Sequence, residues 1–209
     1  MKKLLHIIAS PRAEESRTLK VSKAFLASFK EKHRDCQVRE LNLFEEKLPD
    51  LTVKQIDGKY VLLGGKDLSE ELKESWKGIV AYIEKFLSAD TYLISTPMWN
   101  FNIPYVLKHY IDIIIQPKYL FQYTEKGPEG LAKNKKMVVI TSRGGDYGPD
   151  SAFNAYDFQE PYLRGIFGLV GIEDITFINA QPMDAMGPEV QNQKIAEAQK
   201  QAGELAQKI

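Results

Sequence analysis

The chain has 209 residues, 44% of them hydrophobic, and its 28 basic and 28 acidic side chains cancel to a formal net charge of +0. That length supports one well-buried domain over residues 1–209, and the balanced charge argues against nucleic acid or a membrane surface as a partner. Cys36 is the only cysteine, which excludes an intramolecular disulfide and a multi-cysteine metal site and makes the cytoplasm the natural compartment.

The opening Met-Lys-Lys-Leu-Leu-His-Ile-Ile breaks at Ser10-Pro11, too early for a signal-peptide core or a transmembrane span. Residues 4–9 therefore read as a strand buried on both faces of a parallel sheet. A loop follows, and Leu19, Phe25, Leu26 and Phe29 then recur at helical spacing until His33. Residues 38–43 alternate like a strand nearer the sheet edge. Residues 44–66 show no clear period and are punctuated by Pro49, Gly58, Gly64 and Gly65, so they read as an irregular insertion. Leu68, Leu72, Trp76, Ile79, Val80, Ile83 and Phe86 share one helical face, with Asp67 or Ser69 as N-cap.

Residues 91–95 form the next strand, and Thr-Pro-Met-Trp-Asn-Phe-Asn-Ile-Pro at 96–104 connects it to a helix opened by Pro104. That helix is apolar around most of its cylinder, which predicts burial on more than one face and makes a symmetric homodimer attractive. Residues 117–124 read as a short extended excursion ending in a turn at 127–130. A strand at 137–141, the loop 142–149, a helix at 161–170, a strand at 174–178 and a helix at 188–209 complete the chain. Five strands alternating with five helices predict an α/β fold: a doubly wound five-stranded parallel sheet, order 2-1-3-4-5, with helices on both faces.

In such a sheet, ligands bind beyond the carboxyl ends of the strands where the strand order reverses. The loops after strands one, three and four meet there. The first carries Ser10, Ser16 and Thr18 hydroxyls with Arg12 and Arg17 at a helix start, which favours a phosphate; Ser16 or Thr18 acting only as a helix cap is the plainer alternative. Neither a Gly-x-Gly-x-x-Gly fingerprint nor a Walker loop is present, so a mononucleotide fits better than a dinucleotide. The second loop sets Met98, Trp99 and Phe101 among Asn100 and Asn102, a composition suited to a flat, partly polar ligand. In the third, Gly144-Gly145 allows close main-chain approach to a ring, or forms a simple turn. His6, His33 and His109 lack metal-ligand spacing.

The motifs Pro97-Met-Trp-Asn-Phe-Asn-Ile103, Phe121-Gln-Tyr-Thr124, Gly127-Pro-Glu-Gly-Leu131 and Ile140-Thr-Ser-Arg-Gly-Gly145, with the phosphate-type loop, resemble those of the FMN-dependent NADH azoreductases. These are also described as NADH:quinone oxidoreductases and are of flavodoxin-like fold. The resemblance covers essentially the whole chain. It implies that Ser10, Ser16, Arg17 and Thr18 bind the FMN phosphate, and that Pro97, Met98, Trp99, Asn100 and Phe101 hold the isoalloxazine ring together with Ser142, Arg143, Gly144 and Gly145. Trp99 stands where family members often carry Tyr. The resemblance also implies a homodimer with sites at its interface, where Phe121, Tyr123, Tyr147, Phe158 and Tyr162 are candidates to line the acceptor pocket; packing is the competing role for these aromatics.

With the flavin carrying the chemistry, no catalytic acid-base pair is required. The expected reaction is a two-electron, ping-pong hydride transfer from NADH or NADPH to a quinone or azo acceptor through one slot. An electron-carrier flavodoxin is the main rival, and the balanced charge speaks against it, because steering toward protein partners needs a one-signed face. A flavodoxin-like interaction module without cofactor is the second rival.

Overall fold

The apolar runs hydrogen-bond side by side at the centre of the molecule in a computed structural model that describes residues 2–209. Strands β1 (Lys3–Ile8), β2 (Gln37–Asn42), β3 (Thr91–Pro97), β6 (Lys136–Ser142) and β7 (Asp174–Ala180) form one sheet, and β4 (Phe121–Thr124) pairs with β5 (Gly127–Gly130) in a separate hairpin. The large sheet is parallel throughout, in the order β2-β1-β3-β6-β7. Counting only its own members this is 2-1-3-4-5, as the alternation of elements predicts. The three inner strands are almost wholly buried, which is why they read as unbroken apolar runs, whereas the edge strand β2 exposes Arg39 and Glu40.

Alternate residues of the sheet face two helical layers. Leu4, Leu93, Val138 and Ile140 pack under α1 (Arg17–Lys32) and α6 (Gly187–Ala206). Their neighbours Leu5, Ile7, Tyr92, Ile94, Met137 and Val139 face α3 (Glu70–Leu87), α4 (Tyr105–Ile114) and α5 (Gln159–Leu169). Ser69 caps α3 by accepting the Leu72 N–H, which decides between the two candidate caps.

Two expectations are corrected. Residues 44–66 are not an irregular insertion throughout, since Val53–Leu63 forms a helix, α2, giving six α-helices among the described residues rather than five. Two features hid it. Four of its six apolar residues, Val53, Ile56, Tyr60 and Leu63, lie outside the core while Val61 and Leu62 turn toward it, and Gly58 is a contact residue rather than a breaker. A Cβ at Gly58 would stand 2.3 Å from Trp76 Nε1, so the helix approaches α3 too closely for any side chain there. Second, residues 127–130 are the returning strand of the hairpin, with the reversal at Glu125 and Lys126. The apolar cylinder of α4 is buried on more than one face, as its composition predicts, with Val106, Leu107, Tyr110, Ile111, Ile113 and Ile114 all buried within the chain. No helix of the described residues is long and apolar enough to cross a membrane.

Candidate functional site

The carboxyl ends of β1, β3, β6 and β7 deliver four loops to one cleft of about 230 Å³. From β1 come Ser10, Pro11 and Arg12, then a short 3-10 turn at Ala13–Glu15, then α1. Ser16 is the N-cap of α1, accepting the Leu19 N–H at 3.2 Å, and its hydroxyl also lies 2.8 Å from Ser10 Oγ. Capping and ligand contact are therefore compatible roles for the same residue. The N–H groups of Arg17 and Thr18 have no partner among the described residues. These donors, with the Arg12 and Arg17 guanidiniums and the positive end of a 16-residue helix, line the cleft together, an arrangement that could hold a phosphate dianion.

The loop after β3 is a tight hairpin. Trp99 and Asn102 exchange both main-chain hydrogen bonds, at 2.8 and 2.9 Å, and the two residues between them, Asn100 and Phe101, both have positive φ, +47° and +68°. This is the backbone of a type I′ turn, in which Asn is favoured and a bulky aromatic is not. Left-handed conformation strains Phe101 by about 1 kcal/mol, and the ring it presents is 42% exposed, flanked by Tyr147 and Tyr156 at 6.2 and 5.3 Å. Strain retained to hold an apolar ring in solvent makes Phe101 a candidate to meet a ligand. Met98 N–H bonds Ser142 C=O at 2.9 Å, and Phe158 N–H bonds Phe101 C=O at 3.1 Å. The loop is thereby tied to its neighbours on both sides.

Beyond β6, Ser142 Oγ meets Thr18 Oγ1 at 2.7 Å, joining the second wall to α1. Arg143 borders the cleft, yet its guanidinium is turned inward and buried, with Nη1 donating to Asp157 Oδ2 at 2.8 Å and Nε lying 3.1 Å from Thr141 Oγ1 and 3.2 Å from Gln159 Oε1. Gln159 in turn donates to Pro97 C=O at 2.9 Å. The side chain of Arg143 thus braces the loops after β3 and β6 from behind, while the residue still borders the cleft. Gly144 lines the cleft, where a Cβ would come within 3.2 Å of Asp184 Oδ2.

Ser10, Ser16, Arg17, Thr18, Pro97, Met98, Trp99, Ser142, Arg143 and Gly144 share this cleft, whereas Asn100, Phe101 and Gly145 stand at its rim. Tyr147 and Phe158 are beside Phe101. Tyr162 lines an adjacent groove with Trp99, Asn100 and Tyr105. Phe121 is buried in the core and Tyr123 is 66% exposed on the hairpin, and neither lines the cleft of its own chain. The sequence reading missed the loop after β7. Met183, Asp184 and Ala185 donate their N–H groups to Gly144 C=O at 3.1, 2.9 and 3.2 Å, and Asp184 pairs with Arg17 at 2.6 Å inside the cleft. Its signal was available, because this loop also leaves the carboxyl end of a sheet strand.

A parallel sheet in this order, with an anion-accepting cleft where the order reverses, defines a flavodoxin-like mononucleotide-binding domain. The chain matches the flavodoxin-like fold family over residues 2–206. It is 38% identical to an FMN-dependent NADH:quinone oxidoreductase of Nitratidesulfovibrio vulgaris over 206 residues, with 99% of each chain covered. A Coprothermobacter proteolyticus protein of the same name is also 38% identical, with 100% of each chain covered. An azoreductase from Bacillus anthracis superposes with a TM-score of 0.90 at 32% identity, covering 100% of both chains. A Bacillus anthracis FMN-dependent NADH-azoreductase, solved in complex with FMN, gives 0.84 at 33% identity over 99% of this chain and 100% of its own. The chain belongs to the family of these FMN-dependent oxidoreductases.

Proposed function

We propose that the protein is a cytoplasmic, homodimeric FMN-dependent oxidoreductase that uses NADH, or NADPH, to reduce quinones and azo compounds. The observation that carries this reading is the pairing, across one cleft, of a phosphate-accepting helix start with a strained turn that holds Phe101 open. Relatives alike over their full length bear FMN, NADH, quinone and azoreductase in their names. Bound FMN would supply two-electron chemistry, accepting a hydride from the nicotinamide and returning two electrons to the acceptor in a ping-pong cycle.

The chain's own contribution is anchoring, orientation and shielding. Ser10, the first turn of α1 and Arg17 hold the phosphate; Pro97, Met98, Trp99 and Gly144 line the way from the phosphate end to the rim. The N–H groups of Asn100, Gly144 and Gly145, which have no partner among the described residues, are available to stabilise negative charge at the ring edge. Phe101, Tyr147 and Phe158 offer flat faces beside the open side, a fit for planar acceptors rather than for a protein partner. A homodimer is supported by exposed apolar residues on α2, where Val53 and Tyr60 are 78% and 68% exposed, and by Tyr105 at 69% beside the cleft. Such a dimer gives the exposed Tyr123 and the groove-lining Tyr162 a route to the partner's acceptor slot, whereas Phe121 stays in the core of its own chain.

The purified protein is expected to be yellow, or to become so with FMN, and to be bleached by NADH under anaerobic conditions and recoloured by a quinone. Double-reciprocal plots should be parallel. A protein that takes up no FMN overturns the reading; an FMN protein that NADH does not reduce turns it into an electron carrier. Light scattering of the eluted protein tests the dimer.

A further inference from the structure

Within the apolar layer between the sheet and α1 runs a chain of buried polar groups. His6 Nε2, at the centre of β1, lies 2.7 Å from Ser95 Oγ on β3. Ser95 Oγ lies 2.6 Å from Ser22 Oγ on α1, and Ser22 Oγ lies 3.0 Å from the Thr18 carbonyl. All four residues are at most 3% exposed. Polar groups placed there lose solvation that apolar ones would not, so their presence needs a reason.

Counting protons fixes the direction of the chain. The Thr18 carbonyl only accepts, so the single Ser22 proton is committed to it. Ser95 must then give its own proton to Ser22, and His6 must donate from Nε2 to Ser95. The imidazole is thereby held as the neutral Nε2–H tautomer. Its other nitrogen, Nδ1, is buried without a hydrogen-bond partner, 3.9 Å from Glu40 on β2.

This chain ends on the residue that opens the cleft. Thr18 sits in the first turn of α1, and its hydroxyl is tied to Ser142 at 2.7 Å. The turn that presents the phosphate donors is therefore clamped from β1 and β3 through its carbonyl, and from β6 through its hydroxyl. We propose that His6 is a positioning residue for the phosphate site, acting through Ser95 and Ser22 to hold the first turn of α1 where its N–H groups meet the phosphate. The inference rests on the reading of the cleft as an FMN site. His6 touches neither cofactor nor substrate.

The test compares FMN with riboflavin, which lacks the phosphate, by quenching of flavin fluorescence. His6→Leu removes the donor and is expected to weaken FMN about tenfold while changing riboflavin less than about twofold. His6→Gln, which can donate from the same place, should bind FMN within about twofold of wild type. Ser22→Ala, a small change on the helix, should weaken FMN as His6→Leu does, and the double variant should be no weaker than the worse single one, as members of one chain are not additive. Imidazole 15N spectra should show His6 protonated on Nε2. Unchanged FMN affinity in Ser22→Ala, equal losses for both flavins, no rescue by Gln, or an Nδ1–H tautomer each overturn the inference. Wild type that binds FMN while the variants match it refutes this inference alone, whereas wild type that binds neither flavin removes the flavin site and the inference with it.

Discussion

Replacing Arg143 with Met tests whether its guanidinium serves the fold or the ligand. The guanidinium is 1% exposed, and its partner Asp157 is 10% exposed, 2.8 Å away. Removing one member of a buried pair leaves an uncompensated charge, at about 3–5 kcal/mol. Asp157 retains two helix-capping bonds through its other oxygen, from the Gln159 and Glu160 N–H groups at 3.0 and 3.1 Å, which places the expected loss near the lower end, roughly 3 kcal/mol. Asp157→Asn keeps an oxygen for those capping bonds and discards the charge, so the double variant Arg143→Met/Asp157→Asn should recover most of the loss. Urea unfolding of the FMN-free proteins measures both. The double variant should then bind FMN within about threefold of wild type, because the guanidinium of residue 143 is turned away from the cleft. A single variant as stable as wild type, or a restored double variant that has lost FMN affinity by about 100-fold, would refute the bracing role and return the guanidinium to the cofactor.

Arg17→Ala should weaken FMN by at least about tenfold with little effect on riboflavin, as expected for a charge-assisted phosphate contact. Asp184→Asn should tighten FMN, since Asp184 competes for the same guanidinium; titration of each variant decides. Gly58→Ala should destabilise by roughly 2 kcal/mol by overpacking against Trp76, whereas Gly165→Ala, where a Cβ meets nothing within 4 Å, should stabilise α5 by up to about 1 kcal/mol. Equal responses in urea unfolding would dismiss the close contact of α2 with α3. At the strained turn, Phe101→Gly should be more stable than Phe101→Ala by about 1 kcal/mol, because only Gly takes positive φ without penalty; both should slow acceptor reduction. Burial lowers the His6 pKa from 6.5 to about 4. Between these values the unfolded chain holds more protons than the native one, so stability present above pH 6.5 is lost as pH falls toward about 4, by up to about 3 kcal/mol. Urea unfolding across this range should show a shallower pH dependence in His6→Gln.

The order of the sheet and the three principal loops were legible because periodicity and composition are local. Runs such as Tyr92-Leu-Ile and Met137-Val-Val-Ile are buried on both faces, and such strands leave a continuous apolar signature. Helix α2 was not legible. Most of its pattern turns outward and its Gly58 serves a neighbour 18 positions further on, Trp76, a contact that no window of local sequence contains.

The sequence by itself determined three of the four loops that meet at the switch point and what chemical types they carry: hydroxyls and guanidiniums in one, aromatics and amides in another, paired glycines in a third. Only the tertiary structure decided how each side chain is used. It turned the Arg143 guanidinium inward to Asp157, brought Asp184 against Arg17, forced Phe101 into a left-handed turn and linked His6 to the start of α1. The physical reason is that residue type fixes which hydrogen bonds and charges are available, whereas direction and partner depend on backbone segments that meet only once the sheet has closed.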